Sequence, residues 1–165
     1  MDGSKILIIE NERIVAEDIK RRLQSESYHV TAIVDSIIEA NKEISLITPQ
    51  LIIMDYFMSG CTNGKEFIRT IVTRDHIPII FLVAHEKECI FMTSNVQGNG
   101  GTVNVQGDTL IGLFDCVVKP FDDEILKSSV RYILQESEHA NSIGNESYKA
   151  PNTELDDCDV RGNGA

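Results

Sequence analysis

LIIMDYFMSG, residues 51–60, places four apolar residues directly before Asp55 and then a loop that ends in glycine. An apolar run of this kind, entered after Pro49, is typical of a central strand buried on both faces of a parallel sheet. Asp55 then lies at the carboxyl end of the strand, the edge where open α/β sheets bind ligands. For a lone aspartate, capping of the strand is the simpler interpretation, but two other stretches favour a chemical role.

Two further apolar strands also end in polar residues. KILIIENER, residues 5–13, turns acidic at Glu10, and FDCVVKPF, residues 114–121, ends its strand at Lys119. If the three strands are parallel neighbours, their polar ends meet at one sheet edge and offer oxygen ligands for a hard cation beside a fixed positive charge. The residues expected there are Glu10, Asn11, Asp55 and Lys119. Glu12 is close in sequence, but helix geometry is expected to point it elsewhere.

In order and spacing these residues resemble the receiver domain of two-component response regulators, over residues 4 to about 135. The first forty residues are similar to receiver domains of methanogenic archaea, and we expect a stand-alone receiver without an output domain. The resemblance implies an α/β fold with a doubly wound five-stranded parallel sheet flanked by helices, the flavodoxin-like receiver fold.

The remaining pattern fits an alternation of strand and helix. An apolar stripe predicts a surface helix over residues 12–25. Ser36 and Asn63 each precede a glutamate by three residues, which predicts two capped helix starts. Asp122 or Asp123 is expected to cap a final helix. The β-prone runs predict strands at 29–34 and 79–83.

The alternation of predicted strands and helices stops between His85 and Phe114, where this chain has more residues than the family pattern. NVQG occurs at residues 95–98 and again at 104–107, and this Gly-rich composition disfavours a helix. We predict that the insertion, at about 95–108, forms a loop or small hairpin and remodels the fourth helix region. The predicted organisation is a receiver domain at 1–136 and a flexible acidic tail at 137–165.

Amino-acid composition indicates which kinds of partner and which cellular compartment to expect. The formal net charge of −11 speaks against a nucleic-acid surface, which needs clustered lysine and arginine. The four cysteines are scattered singly, so a zinc site or disulfide framework is not expected and reduced thiols fit best. Neither a signal peptide nor a membrane-length apolar run is visible, which predicts a cytoplasmic protein with no membrane partner.

The resemblance also implies a function. Asp55 is the expected phosphoacceptor, with a partner histidine kinase as donor, and Lys119 is expected to stabilise the phosphoryl group. Mg²⁺ is the implied cofactor, held by Glu10, Asn11, Asp55 and the backbone carbonyl of Phe57. The protein is then expected to be a signalling module rather than an enzyme, and to act on an unknown downstream protein. Whether it forms a homodimer is left open.

Three positions depart from the family pattern. The second acid falls on Asn11, which brings no charge and predicts weak magnesium binding. The hydroxyl residue that ends the fourth strand falls on Val83, and the switch aromatic of the fifth strand falls on Cys116. The alternative is therefore a pseudo-receiver, an interaction module not controlled by phosphorylation. A phosphatase of the haloacid-dehalogenase kind is disfavoured because Phe57 stands where that family has a second aspartate.

Overall fold

Strand and helix alternate along the chain as far as residue 89, as the apolar patterns predict. The computed structural model describes residues 3–60, 63–89, 92–94, 101–105 and 108–143. The strands are β1 (Lys5–Ile9), β2 (His29–Val34), β3 (Leu51–Asp55), β4 (Ile79–Val83), β5 (Met92–Ser94), β6 (Gly101–Val105), β7 (Asp108–Gly112) and β8 (Phe114–Val118). The helices are α1 (Arg13–Ser25), α2 (Ile37–Leu46), α3 (Gly64–Thr70), α4 (Glu86–Cys89) and α5 (Asp123–Ile143). A 3-10 turn, Tyr56–Gly60, follows β3, and a π turn, Ile71–Asp75, extends α3.

The main sheet has five parallel strands in the order β2-β1-β3-β4-β8, which confirms the predicted doubly wound receiver fold. Its centre is apolar because β3 and β4 consist of buried aliphatic and aromatic residues up to Met54 and Val83. The register pairs Ile9 with Met54 and Asp55 with Leu82. The carboxyl ends of β1, β3 and β8 therefore come to the same edge of the sheet.

Helices cover both faces of this sheet. α1 and α5 bury their apolar stripes on one face, and α2 and α3 lie on the other. The buried residues of α1 are Ala16, Ile19 and Leu23, and those of α5 include Leu126, Val130, Ile133 and Leu134. Within the described residues, no helix has the length and hydropathy that a bilayer crossing requires.

The helix starts follow the predicted capping residues in two cases out of three. Ser36 Oγ accepts a hydrogen bond from the N–H of Glu39, and Asp122 Oδ1 accepts one from Ile125 at 2.9 Å. The prediction for Asn63 was wrong, because its side chain makes no capping hydrogen bond. Its φ of 69° is left-handed, whereas a side-chain cap needs an extended residue at this position.

An accessory antiparallel sheet of β5, β6 and β7 lies between β4 and β8 along the chain. α4 has only four residues, so the fourth helix region is remodelled as predicted. TVNV lies within β6, which pairs with both neighbours. β7 reaches the main core: Leu110 is buried there, and a Cβ added to Gly112 would come within 2.6 Å of Val72 Cγ1. Residues 95–100 and 106–107 of the predicted insertion lie outside the described residues.

α5 runs to Ile143, seven residues past the predicted domain boundary at 136. The tail from residue 144 onward lies outside the described residues. The division of the chain into a receiver domain and an acidic tail stays a prediction.

Charged side chains join α1 to α5. Lys127 Nζ contacts Asp123 at 2.8 Å and Glu26 at 3.1 Å, and Arg131 lies 3.7 Å from Glu26. In the middle of α1, burial alone would raise the pKa of Asp18, but hydrogen bonds from Arg22 and Arg21 outweigh it and the pKa is lowered. Since these pairs are exposed or partly exposed, solvent screens them and their contribution to stability is small.

Candidate functional site

Glu10, Asp55 and Lys119 meet at the carboxyl edge of the main sheet. Lys119 Nζ lies 2.6 Å from Asp55 Oδ2 and 2.7 Å from Glu10 Oε2, so one ammonium bridges two carboxylates. The parallel order of β1, β3 and β8 accounts for this meeting, because each residue sits at or just beyond the end of its strand. The structure brings together three of the residues that the sequence placed at this edge.

Each of the two carboxylates is also held from its second oxygen. The N–H of Phe57 donates to Asp55 Oδ1 at 2.7 Å, and the N–H of Glu12 donates to Glu10 Oε1 at 2.9 Å. In both cases the donor stands two residues after the carboxylate, where the chain turns out of its strand. Both acids are therefore oriented by one backbone donor and by the shared lysine.

The bridging groups are well shielded from solvent. Side-chain exposure is 0% for Glu10, 14% for Asp55 and 18% for Lys119. Burial alone lowers the pKa of Lys119, but its hydrogen bonds to Asp55 and Glu10 outweigh this and raise the pKa. Lys119 is thus held as a cation beside Asp55, which is the state needed to receive further negative charge.

Glu12 belongs to the acidic cluster, contrary to the sequence prediction that it points elsewhere. Carboxylate oxygens of Glu10, Glu12 and Asp55 all lie within 4.8 Å of one another, and Glu12 Oε1 is 3.7 Å from Lys119 Nζ. The prediction failed because Glu12 is the residue before α1, with extended φ and ψ of −81° and 94°, so helix periodicity does not direct its side chain. Asn11, which was expected to stand in for the second acid, is exposed.

The donor set suits a hard divalent cation. Three carboxylates and one ammonium leave a formal charge of −2, which a single divalent ion balances. Carboxylate oxygens are the ligands that Mg²⁺ and Ca²⁺ prefer. Phe57 lies next to the cluster through its N–H, with its side chain exposed.

The two departing switch positions lie in neighbouring strands. Val83 is buried and its carbonyl accepts the N–H of Lys119 at 2.8 Å. Cys116 pairs with Phe81 across β4 and β8, and its sulfur is in a disulfide, so the expectation of reduced thiols was wrong at this position. The ring of Phe81 packs against those of Tyr56 and Phe114 at 5.8 and 5.9 Å. Aromatic packing here is thus built from β4 rather than from position 116.

A groove of about 620 Å³ opens beside Lys119, between α1 and the segment that follows β8. Ile14 projects from its α1 wall with 87% exposure, and Pro120 and Phe121 form the opposite wall. Arg13, Arg21 and Arg22 also line it. Glu17 and Asp18 line it as well and pair with these arginines, so the surface next to the site is apolar in part and carries paired charges.

Comparisons with known proteins identify the family and the fold. The sequence model described as "Response regulator receiver domain" matches residues 6–103. Response regulator ArlR of Staphylococcus saprophyticus is 30% identical over 140 residues, which is 85% of this chain and 56% of that protein. Sensory transduction protein BceR of Bacillus subtilis is 25% identical over 138 residues, 84% of this chain and 53% of that protein. The chain therefore spans about half the length of these curated relatives.

Solved structures show the same fold. The response regulator PhyR from Brucella abortus superposes with a TM-score of 0.64 at 21% identity, covering 84% of this chain and 51% of that one. The receiver domain of a Luxo repressor protein from Vibrio parahaemolyticus gives 0.61 at 23% identity, covering 86% and 97%. The likeness to these structures extends beyond residue 103, where the match to the family model ends.

Proposed function

The chain belongs to the response regulator receiver domain family, and from this membership we propose that it accepts a phosphoryl group on Asp55 from a partner histidine kinase. It then signals in a two-component phosphorelay by binding a downstream protein. The observation that carries the proposal is the Lys119 ammonium, 2.6 Å from Asp55 Oδ2 at the open edge of the sheet. Receiver domains are signalling modules, and we propose that this one acts by binding partners rather than as an enzyme. We also propose that it acts in the cytoplasm.

In the proposed transfer, a carboxylate oxygen of Asp55 attacks phosphorus, the P–N bond to the kinase histidine breaks, and the electron pair leaves with the imidazole. The loose transition state of phosphoryl transfer needs positioning and charge neutralisation more than covalent help. Lys119 supplies a compact, mobile point charge that pairs with Asp55 before transfer and with the phosphoryl oxygens afterwards. Glu10 retains the ammonium near the site during this change, because it holds Lys119 independently at 2.7 Å.

Mg²⁺ is the proposed cofactor. Glu10, Glu12 and Asp55 would hold it, with the backbone carbonyl of Phe57 and the amide of Asn11 as further oxygen donors. The ion, when bound, neutralises negative charge on the phosphoryl oxygens. Glu12 supplies the charge that Asn11 lacks.

We further propose that the kinase docks over the groove beside Lys119. Ile14 is a large exposed apolar side chain that lines the groove together with Pro120 and Phe121, and a partner that covers this groove would remove apolar surface from water. Because Ile14 lies on α1 beside the site, the kinase can contact the groove while the phosphohistidine of the kinase reaches Asp55.

A pseudo-receiver is the second candidate. Two observations favour it: Val83 offers no hydroxyl to a phosphoryl group, and Cys116, locked in a disulfide, cannot reorient as a switch aromatic does. In that case the domain would bind its partner regardless of phosphate.

Phosphorylation by a small donor separates the two candidates. The protein is incubated with acetyl phosphate and MgCl₂ and its intact mass is measured, with Asp55→Asn as the matched control. Addition of one phosphoryl group to the wild type and none to the control supports the receiver. A wild type that stays unmodified, while a known receiver in the same tube is modified, supports the pseudo-receiver.

A further inference from the structure

Arg22 contacts three separate parts of the chain near the site. Its Nε lies 2.6 Å from Asp18 Oδ2 within α1, and its NH1 lies 3.3 Å from Asp123 Oδ1 at the start of α5. Its guanidinium carbon is 5.9 Å from the centroid of the Phe121 ring. The side chain is 26% exposed, so these contacts are partly withdrawn from solvent.

The segment under Arg22 is the one that carries Lys119. Residues 119–122 connect β8 to α5 and include a cis Lys119–Pro120 bond. At the strand end, the N–H of Lys119 donates to Val83. Beyond it, the segment rests on α1 through Phe121, which packs against the cluster of apolar side chains from α1 and α5.

We propose that Arg22 is a positioning residue for phosphoryl transfer: it clamps the 119–122 segment to α1 and thereby fixes Lys119 Nζ between Asp55 and Glu10. This inference rests on the proposed function. A planar guanidinium suits the task because it can pair with acids at its edge while its face lies over a ring. The effect on transfer is large because a displacement of about 1 Å in a reacting geometry can cost on the order of a hundredfold in rate.

Arg131 provides the matched control. It joins the end of α1 to α5 through a 3.7 Å contact with Glu26 and also contacts Glu124 within α5 at 3.7 Å, but it lies about two helical turns beyond the 119–122 segment. If Arg22 only holds the two helices together, the two arginines should be equivalent in their effect on phosphorylation. If Arg22 positions Lys119, only its removal should slow the transfer.

The test compares Arg22→Ala and Arg131→Ala with the wild type. Phosphorylation of Asp55 by acetyl phosphate with Mg²⁺ is timed by intact mass, and amide hydrogen exchange of residues 121–122 is followed in the unphosphorylated protein. We expect R22A to phosphorylate about tenfold more slowly and to exchange faster in this segment, with R131A within about twofold of wild type in both. In a Phe121→Leu background the further loss from R22A should be smaller, because the two residues act through one contact.

Each outcome assigns a cause. Wild-type rates in R22A, or equal losses in R22A and R131A, overturn the positioning role. Unchanged amide exchange at residues 121–122 also overturns it, even where the rate falls. A wild type that takes up no phosphoryl group refutes the proposed function itself, and the exchange data still show whether Arg22 holds the segment. Should R22A fail to fold, Arg22→Lys replaces it, since one amine cannot pair with both Asp18 and Asp123 while lying over the ring; its rate must then fall below that of R131A.

Discussion

Replacing Glu12 by glutamine removes one of the three charges that the site offers to a cation, without changing the size of the side chain. Two unit charges 4 Å apart interact by about 1 kcal/mol in water, so a divalent ion at that distance gains about 2 kcal/mol from one carboxylate. The aqueous value applies here because the Glu12 side chain is 66% exposed. Lys119, 3.7 Å away, partly neutralises the same carboxylate and reduces the gain.

We therefore expect Glu12→Gln to weaken Mg²⁺ binding by about 1–2 kcal/mol, which is roughly five- to thirtyfold in Kd. Isothermal titration calorimetry on the unphosphorylated protein measures this directly. Glu17→Gln is the matched control, since Glu17 is also an exposed acid near the start of α1 but pairs with Arg13 at 3.7 Å instead of joining the cluster. The control should bind Mg²⁺ as the wild type does.

Asn11→Asp tests the neighbouring position. Adding a carboxylate there should strengthen Mg²⁺ binding, by about tenfold for a net gain of 1.4 kcal/mol. Equal Mg²⁺ affinity of the wild type and Asn11→Asp would count against a role for Asn11. A Glu12→Gln protein that binds Mg²⁺ as tightly as Glu17→Gln would refute the assignment of Glu12 to the site.

Three further outcomes follow from the structure. Gly112→Ala should lower the free energy of unfolding by about 1–3 kcal/mol in a urea titration, because the new Cβ would overlap Val72; wild-type stability would show that β7 can move away from the core. The lowered pKa of Asp18 contributes stability that is present above its ordinary value of 3.8 and is lost as the pH falls through the folded value, so Asp18→Asn should flatten the loss of stability in acid; parallel curves for the two proteins would contradict this. A beryllofluoride mimic on Asp55 should shift amide NMR signals in the loops around the site and leave Cys116 nearly unchanged, because the hydroxyl and aromatic couple is missing; a large shift at Cys116 would show that another route carries the signal.

Much of the fold could be predicted because the strands of the main sheet are visible in the sequence as apolar runs. β3 and β4 contain continuous apolar runs, and the acid or lysine at the ends of β1, β3 and β8 indicates which edge of the sheet carries the chemistry. The bridge from Lys119 to Asp55 and Glu10 follows from that topology alone.

What could not be predicted depends on local backbone conformation. Glu12 joins the cluster because it stands just outside the helix, and Asn63 fails as a cap because it is left-handed. Neither conformation is specified by residue spacing. The contact of Arg22 with Phe121 joins residues far apart in sequence, and no periodic signal marks it. The antiparallel pair β6–β7 fits the predicted small hairpin, whereas the third strand, β5, was not predicted.

A single residue, Leu113, separates β7 from β8, and its carbonyl accepts the N–H of Ile79 in the main sheet at 3.1 Å. The accessory sheet is thus joined by one residue to β8, the strand that leads to Lys119. By thermodynamic linkage, a molecule that binds the accessory sheet more tightly in the phosphorylated protein must favour phosphorylation by the same factor. The insertion is tied to the main sheet through Leu113 and Ile79, so a ligand bound to the accessory sheet would influence phosphorylation only as far as its affinity differs between the two states.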